Sequence, residues 1–388
     1  MSLAVSGGLH GELRFHHLGT MNCVKTIDGS EYNHTLSHIN KLVVKNKTLA
    51  VGGHSWIRLH ALEKLENLGT VLEGGHSNNV TSLTFQADEK WLVSTGEDGK
   101  VRIWDFRARG YQLGICHSSP INCGTIHPNQ GVFVFGDQEG CVNHLDLAAN
   151  KVLRYKVGEK TGLGVAAVNY DDHNRLVCTH DNNHVSVLLD PIETNNSEER
   201  DEISESGSEA NDDASPRHAL MPPRMIPLIS RSVSNTVPTK ACVSNIHSVT
   251  TLPSAPQKVQ KFGTDVHSRG YITSLNLSGP EATRHQAALL TSSDGSFSVW
   301  RTSHDDSLYS LDSHVTFGNR VWCTDAKFVD DRTRFVVASY TDGKCRLWDT
   351  IRPSMTPVGA FDAGHGKSVK AICVLQGDSN EPHDRRIR

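Results

Sequence analysis

The chain has 388 residues, with 43 acidic side chains, 39 basic ones and a net charge of −4. Its mean hydropathy is −0.39, and no apolar run approaches the roughly 20 residues that a membrane-spanning helix needs. Helical membrane insertion is therefore excluded, and a charge balance this close to neutral argues against nucleic acid as the main partner.

Residues 1–10 carry no basic n-region and no long apolar stretch, so no signal peptide is expected. LAVSG at 3–7 and LRFH at 13–16 read as two short strands, and a related pair follows with LAVGG at 49–53 and IRLH at 57–60. The clearest unit spans 75–105. Gly75-His76 leads into VTSLTF at 80–85, WLVST at 91–95, the turn Asp98-Gly99 and VRIWD at 101–105. Three short apolar or alternating runs separated by turn residues read as strands, and Asp-Gly between two of them marks a tight hairpin. Eroded copies cover 120–147 and 164–190, and strong ones cover 271–300 and 321–349. Gly364-His365 then precedes a lone strand at 368–374. The nine cysteines are scattered without a CxxC pair, several at strand core positions. They read as reduced, buried small hydrophobes.

Gly-His followed by Trp-Asp some 30 residues later is the signature of the WD40 repeat. The expected fold is all-β, a seven-bladed WD40 β-propeller. The first blade lacks an inner strand and the far end of the chain has one to spare. Pairing 369–375 with 2–7 closes the ring and removes an open sheet edge. Residues 1–192 supply blades one to five, and 261–376 supply blades six and seven and the closing strand. Residues 377–388 are expected as a disordered tail. Residues 193–260 interrupt the repeat between the fifth and sixth blades. The stretch is polar, acidic in its first third, and free of acids but basic from 214 to 264. It is expected as a disordered insertion, since such a composition buries too little surface to offset its ordering entropy.

Within the clearest unit, His76, Ser94, Asp98 and Trp104 stand at the spacing of a buried structural tetrad. Asp98 accepts from His76, His76 from Ser94, and Ser94 from the indole NH of Trp104, so each buried polar group finds a partner. On paper Ser, His and Asp also make a hydrolase triad. Here the serine lies inside a strand rather than on an exposed elbow, which points to structure, not catalysis. His16, His60, Leu145 and Leu188 replace the tryptophan in four blades. No HExxH, clustered Cys/His spacing, GxSxG or phosphate loop occurs, so no catalytic residue, metal site, cofactor or small-molecule substrate is expected.

Binding remains. The first strand of each blade starts at the rim, and residues at its start face any partner. These include His38, Asn40, Asn79, Asn122, Tyr271 and Trp322, with Thr324 beside them. Trp322 is the expected anchor, because a rim tryptophan is a typical interface hot spot. SPINC at 119–123, HPNQ at 127–130, GDQ at 136–138, the stretch 91–107 and VWRTS at 299–303 resemble a particular family. It is the WD-repeat subunit of target-of-rapamycin (TOR) kinase complexes, also called G-protein-β-subunit-like protein. The resemblance implies a non-catalytic scaffold whose rim holds a helical insertion of the kinase C-lobe, stabilises that lobe and narrows access to its active site. It implies service to both TOR complexes, a cytoplasmic location, and contact with endomembranes only through the kinase. The family's rim positions fall on His38, Asn40, Asn122, Tyr271 and Trp322. The chain departs from the pattern at Thr324, where a second rim tryptophan is common, in the lost tryptophans of blades four and five, and in the insertion. The alternative is a WD40 adaptor of another assembly, such as a ubiquitin-ligase substrate receptor.

Overall fold

The computed structural model describes residues 2–29, 38–64, 69–72, 75–106, 111–159, 163–191, 243–244, 246, 248–263, 265–267, 269–278, 285–303, 307–318, 320–330, 332–351, 356–366 and 368–376. Blade one holds β1 (Leu3–Gly7), β2 (Leu13–His17) and β3 (Cys23–Ile27). Blade two holds β4 (Ile39–Lys45), β5 (Thr48–Gly53), β6 (Ile57–Ala61) and β7 (Thr70–Leu72). Blade three runs through β8 (Val80–Phe85), β9 (Trp91–Gly96), β10 (Lys100–Asp105) and β11 (Tyr111–Cys116). Blade four runs through β12 (Ile121–Ile126), β13 (Val132–Asp137), β14 (Cys141–Asp146) and β15 (Lys151–Lys156). Blade five starts with β16 (Ala167–Tyr170), β17 (Leu176–His180) and β18 (His184–Leu188). Three strands follow the long excursion: β19 (Val243–Ser244), β20 (Ser248–Thr251) and β21 (Lys258–Phe262). Blade six is β22 (Ile272–Leu277), β23 (Ala287–Ser292), β24 (Ser296–Thr302) and β25 (Tyr309–Thr316). Blade seven is β26 (Cys323–Phe328), β27 (Phe335–Tyr340), β28 (Lys344–Asp349) and β29 (Gly359–Asp362), and β30 (Ala371–Leu375) ends the series.

Each blade is covered on both faces, and the sequences of its middle strands show why. In β13 every residue of VFVFGD is buried, the continuous pattern of a sheet with no solvent side. Val132 and Val134 enter the core shared with blade five, while Phe133 and Phe135 enter the core shared with blade three. The same division recurs around the molecule. Among the described residues seven apolar clusters form, and each lies between two neighbouring blades. The turns after the second strands tighten on glycine. Gly99 has φ +69° and Gly295 φ +84°, a left-handed conformation that costs glycine little.

The inner strands follow one another as β30, β4, β8, β12, β16, β22 and β26, and β26 returns to β30. The seam is an antiparallel pair in which Leu3 faces Leu375 and Gly7 faces Ala371. Side chains clasp it as well. His365 Nε2 lies 2.9 Å from Ser6 Oγ and His365 Nδ1 lies 2.8 Å from Glu12 Oε1. This is the tetrad chemistry of blade three with glutamate replacing aspartate, assembled from the two ends of the repeat array.

A second device stitches neighbouring blades. The hydroxyl of Thr81 donates to the carbonyl of Ile121, Thr273 to Cys323 and Thr324 to Val369, each at 2.7 Å. In all three a threonine at the second position of an inner strand reaches the start of the next blade. Thr324 also touches Ser339 Oγ at 2.8 Å. Thr324→Val keeps the shape and removes the donor. It is expected to cost about 1–2 kcal/mol, read as a lowered urea midpoint with an unchanged m-value.

The insertion expected over 193–260 ends earlier than its composition implies. β20 adds to the outer strand β15 of blade four in parallel, β19 adds likewise to β11 of blade three, and β21 completes blade five beside β18. SVTT and KVQKF offer few apolar side chains. They order because blade edges present unpaired backbone groups, and because Leu252 and Ala255 pack against the core between blades four and five. The rest of the expected insertion, from 193 to 242, lies outside the described residues, as does the tail 377–388. No helix among the described residues is long and apolar enough to cross a membrane.

Candidate functional site

In blade three, Asp98 follows β9, Ser94 lies within it, and Trp104 sits in the adjacent β10. The indole Nε1 of Trp104 donates to Ser94 Oγ at 2.8 Å, and His76 Nε2 meets the same oxygen at 2.8 Å. His76 Nδ1 lies 2.9 Å from Asp98 Oδ1. Burial alone would raise the Asp98 pKa. The hydrogen bond of His76 and the backbone NH groups of Ser77 and Lys100 outweigh it and lower the value to about 2. Burial lowers His76, partly against the pull of Asp98. Asp98 is thus an anion holding a neutral imidazole whose other nitrogen is occupied. Ser94 is fully buried, so no substrate reaches it. Blade six repeats the arrangement without a carboxylate on the ring: His267 meets Ser296 Oγ at 3.0 Å and Ser298 Oγ at 2.7 Å, and Trp300 donates to Ser298 Oγ at 2.8 Å. Among the described residues, no group of three or more His, Cys, Asp or Glu is placed to hold a metal ion.

The rim residues divide into two groups. On blades two and three, Asn40 Nδ2 donates to Asn79 Oδ1 at 3.2 Å, His54 Nδ1 approaches the same oxygen at 3.1 Å, and Asn79 Nδ2 donates to Glu97 Oε2 at 2.9 Å. The His38 ring stands 6.4 Å from that of His54. Asn122 continues the series on blade four, with Gly164 against it. A Cβ on Gly164 would fall 2.4 Å from Asn122 Nδ2, so only glycine allows that approach. Asn40 and Asn122 occupy the inner-strand position at which other blades place the stitching threonines, and Asn40 likewise reaches the next blade.

On blades six and seven, Tyr271 and Trp322 meet edge to face with ring centroids 5.6 Å apart. They are 40% and 46% exposed, a pair of large aromatics left open where most others are buried. Partial burial raises the Tyr271 pKa, so the phenol stays a neutral donor. The neighbouring Thr324 is turned into the blade-seven stitch. His54 and Glu97 belong to the rim network although their sequence context did not single them out. His54 follows the strand run LAVGG with no motif of its own, and Glu97 becomes a rim residue only through its bond to Asn79.

The WD domain, G-beta repeat model matches residues 67–105 and 305–349. Over 160 residues the chain is 36% identical to the target of rapamycin complex subunit wat1 of Schizosaccharomyces pombe, covering 41% of this chain and 49% of that protein. It is 35% identical over 134 residues to the subunit LST8 of Saccharomyces cerevisiae, covering 34% and 43%. The Mus musculus LST8 is 32% identical over 149 residues, covering 37% and 44%. This chain is a WD40-repeat protein homologous to target of rapamycin complex subunits. The matched stretches span less than half the length of each of these relatives. Among solved structures, the β-propeller domain of Myceliophteria thermophila Cps50 (Swd1) superposes with a TM-score of 0.58 at 15% identity, covering 84% of this chain and 86% of that one. The likeness is one of fold. A WD40 propeller of this kind is typical of non-catalytic scaffold proteins.

Proposed function

We propose that this WD40 protein is a non-catalytic scaffold subunit that docks on a TOR-type protein kinase through the rim face and supports the kinase lobe it touches. The observation that carries the reading is the exposed Tyr271–Trp322 pair on adjacent blades. Two rigid rings already packed against each other lose little conformational freedom on binding, and aromatic anchors of this type dominate interface energetics. The amide and imidazole groups of His38, Asn40, Asn79 and Asn122 add hydrogen-bonding capacity, with His54 and Glu97 within their network. That suits the polar side of a helix better than a charged nucleic acid or a lipid surface. Homology to subunits named for target of rapamycin complexes supports the choice of partner.

Trp322→Ala is expected to weaken association by ~2 kcal/mol, roughly thirtyfold, and to leave the melting temperature within 1–2 °C, about what a surface change of up to 0.5 kcal/mol produces. Co-precipitation with the kinase and a melting curve on the same preparation separate the two effects. Asp98→Ala is the control for fold loss, expected to cost about 1–3 kcal/mol by leaving His76 Nδ1 and the backbone NH groups of Ser77 and Lys100 without their acceptor. A Trp322→Ala protein that melts like Asp98→Ala, or that binds the kinase as tightly as the parent, removes Trp322 from the interface.

A further inference from the structure

The rim network of blades two and three fixes the proton of an exposed imidazole. Glu97 is its terminal acceptor. A carboxylate accepts and does not donate, so the Asn79 amide must turn Nδ2 toward Glu97 Oε2, 2.9 Å away. Asn79 Oδ1 is then the atom that faces blade two, where Asn40 Nδ2 donates to it at 3.2 Å and His54 Nδ1 lies 3.1 Å from it. An amide oxygen can only accept. His54 Nδ1 therefore carries the proton, and in the neutral ring the lone pair sits on Nε2. The His54 side chain is exposed to water.

Backbone pairing brings a second imidazole to the same place. Ile39 faces Gly53 across β4 and β5, so the next rung outward sets His38 opposite His54, both at the rim. Their ring centroids stand 6.4 Å apart, with the planes at 39°. Zinc binds imidazole nitrogen at about 2.0–2.1 Å, which puts the centroids of two rings on one zinc about 5–6 Å apart. The pair is slightly wider than that, and a small rotation of the exposed His54 ring closes the difference. Two other histidine pairs stand as near, His180–His184 at 5.9 Å and His267–His314 at 5.8 Å. In each, one ring has both nitrogens engaged. His180 meets Asp181 and Ser186, and His267 meets Ser296 and Ser298. The His38–His54 pair differs in that His54 uses one nitrogen for support and presents the other.

We propose that His38 and His54 form an open zinc-binding half-site at the rim of blade two. Asn79 holds the His54 ring in the ligating tautomer, and Glu97 holds Asn79. A ligating histidine characteristically donates its other ring NH to a carbonyl or carboxylate, which orients the ring and strengthens it as a ligand. Imidazole donors suit zinc and the neighbouring late transition metals, whereas magnesium and calcium prefer oxygen. Two imidazoles fall short of the four protein ligands of a closed structural site, so the remaining coordination positions belong to water. The half-site is a property of the isolated propeller and does not depend on the kinase reading.

The test uses the full chain, titrated with zinc against a chromogenic chelator and followed by long-range proton–nitrogen NMR of the imidazoles. Before metal is added, His54 is expected to show its proton on Nδ1. Zinc should then shift His54 Nε2 and a His38 nitrogen together. His38→Gln and His54→Gln should each weaken the tightest zinc site about tenfold or more, and Asn79→Ala, which leaves both ligands in place, about tenfold. The two histidine variants should keep the parent's melting temperature, because their rings lie at the surface. Zinc held instead by the exposed thiols of Cys23 and Cys116 would survive all three changes. The proposal is overturned if the parent binds no zinc, if its tightest site survives both histidine changes, or if His54 carries its proton on Nε2.

Discussion

Removal of residues 365–388 is expected to abolish cooperative folding. The deletion takes away β30, and with it the pairing of five residues of β1. It strips Val369, Ala371, Ile372 and Cys373 from the cores on both sides of blade one, where they are at most 3% exposed. A buried aliphatic side chain is worth about 1.5–3 kcal/mol, and the whole domain stands only about 5–15 kcal/mol above its unfolded state. Loss of the strand also exposes β1 as an open inner edge and leaves Ser6 and Glu12 without His365. The truncated chain should show no sharp transition by circular dichroism and should aggregate on heating. His365→Ala, which keeps the strand, should cost only about 1–3 kcal/mol and retain a two-state melt. A truncated protein with the parent's melting curve would show that the seam is not what closes the ring.

Acid should unfold the protein well before its carboxylates are protonated. His16, His60, His144 and His267 are buried, and burial lowers each pKa to about 4 from an ordinary 6.5. His365 and Arg14 repel a proton on His16 further, and Arg58 does the same to His60. The folded state thus holds these rings neutral where the unfolded chain binds protons. With more protons bound in the unfolded state, stability rises with pH. The contribution is fully present above pH 6.5 and is lost as pH falls from 6.5 toward 4. Four such groups together amount to several kcal/mol, a large fraction of a typical domain's stability. Asp98 adds a second loss lower down, because its folded value near 2 lies below the unfolded 3.8. Urea midpoints from pH 7.5 to 4.5 should decline steeply below pH 6.5, with the slope reduced in His60→Gln. A flat profile between pH 6.5 and 5 would mean that these rings are not held neutral.

What could be read from the residues depended on whether the information was local. Gly75-His76, Asp98-Gly99 and Trp104-Asp105 announce a blade because the tetrad closes within thirty residues. The tyrosine and tryptophan at 271 and 322 could be placed as rim neighbours because each immediately precedes an inner strand. The Ser6–His365–Glu12 clasp was harder. Its members lie at opposite ends of the chain, and glutamate stands where the repeat elsewhere uses aspartate. β20 and β21 escaped because backbone pairing with a waiting edge leaves no hydrophobic period in the paired strand.

The register of the seam bears on a different kind of stress. In β1 and β30, Leu3 faces Leu375, so the outer ends of both strands lie at the same end of the ladder. A pull applied at residues 2 and 376 therefore opens the pair one rung at a time, as a zipper opens, rather than loading all its hydrogen bonds in parallel as shear would. The contact that makes the ring cooperative against heat and denaturant is thus aligned to yield at low force when tension acts along the chain, and a tethered copy of this propeller would open at its seam first.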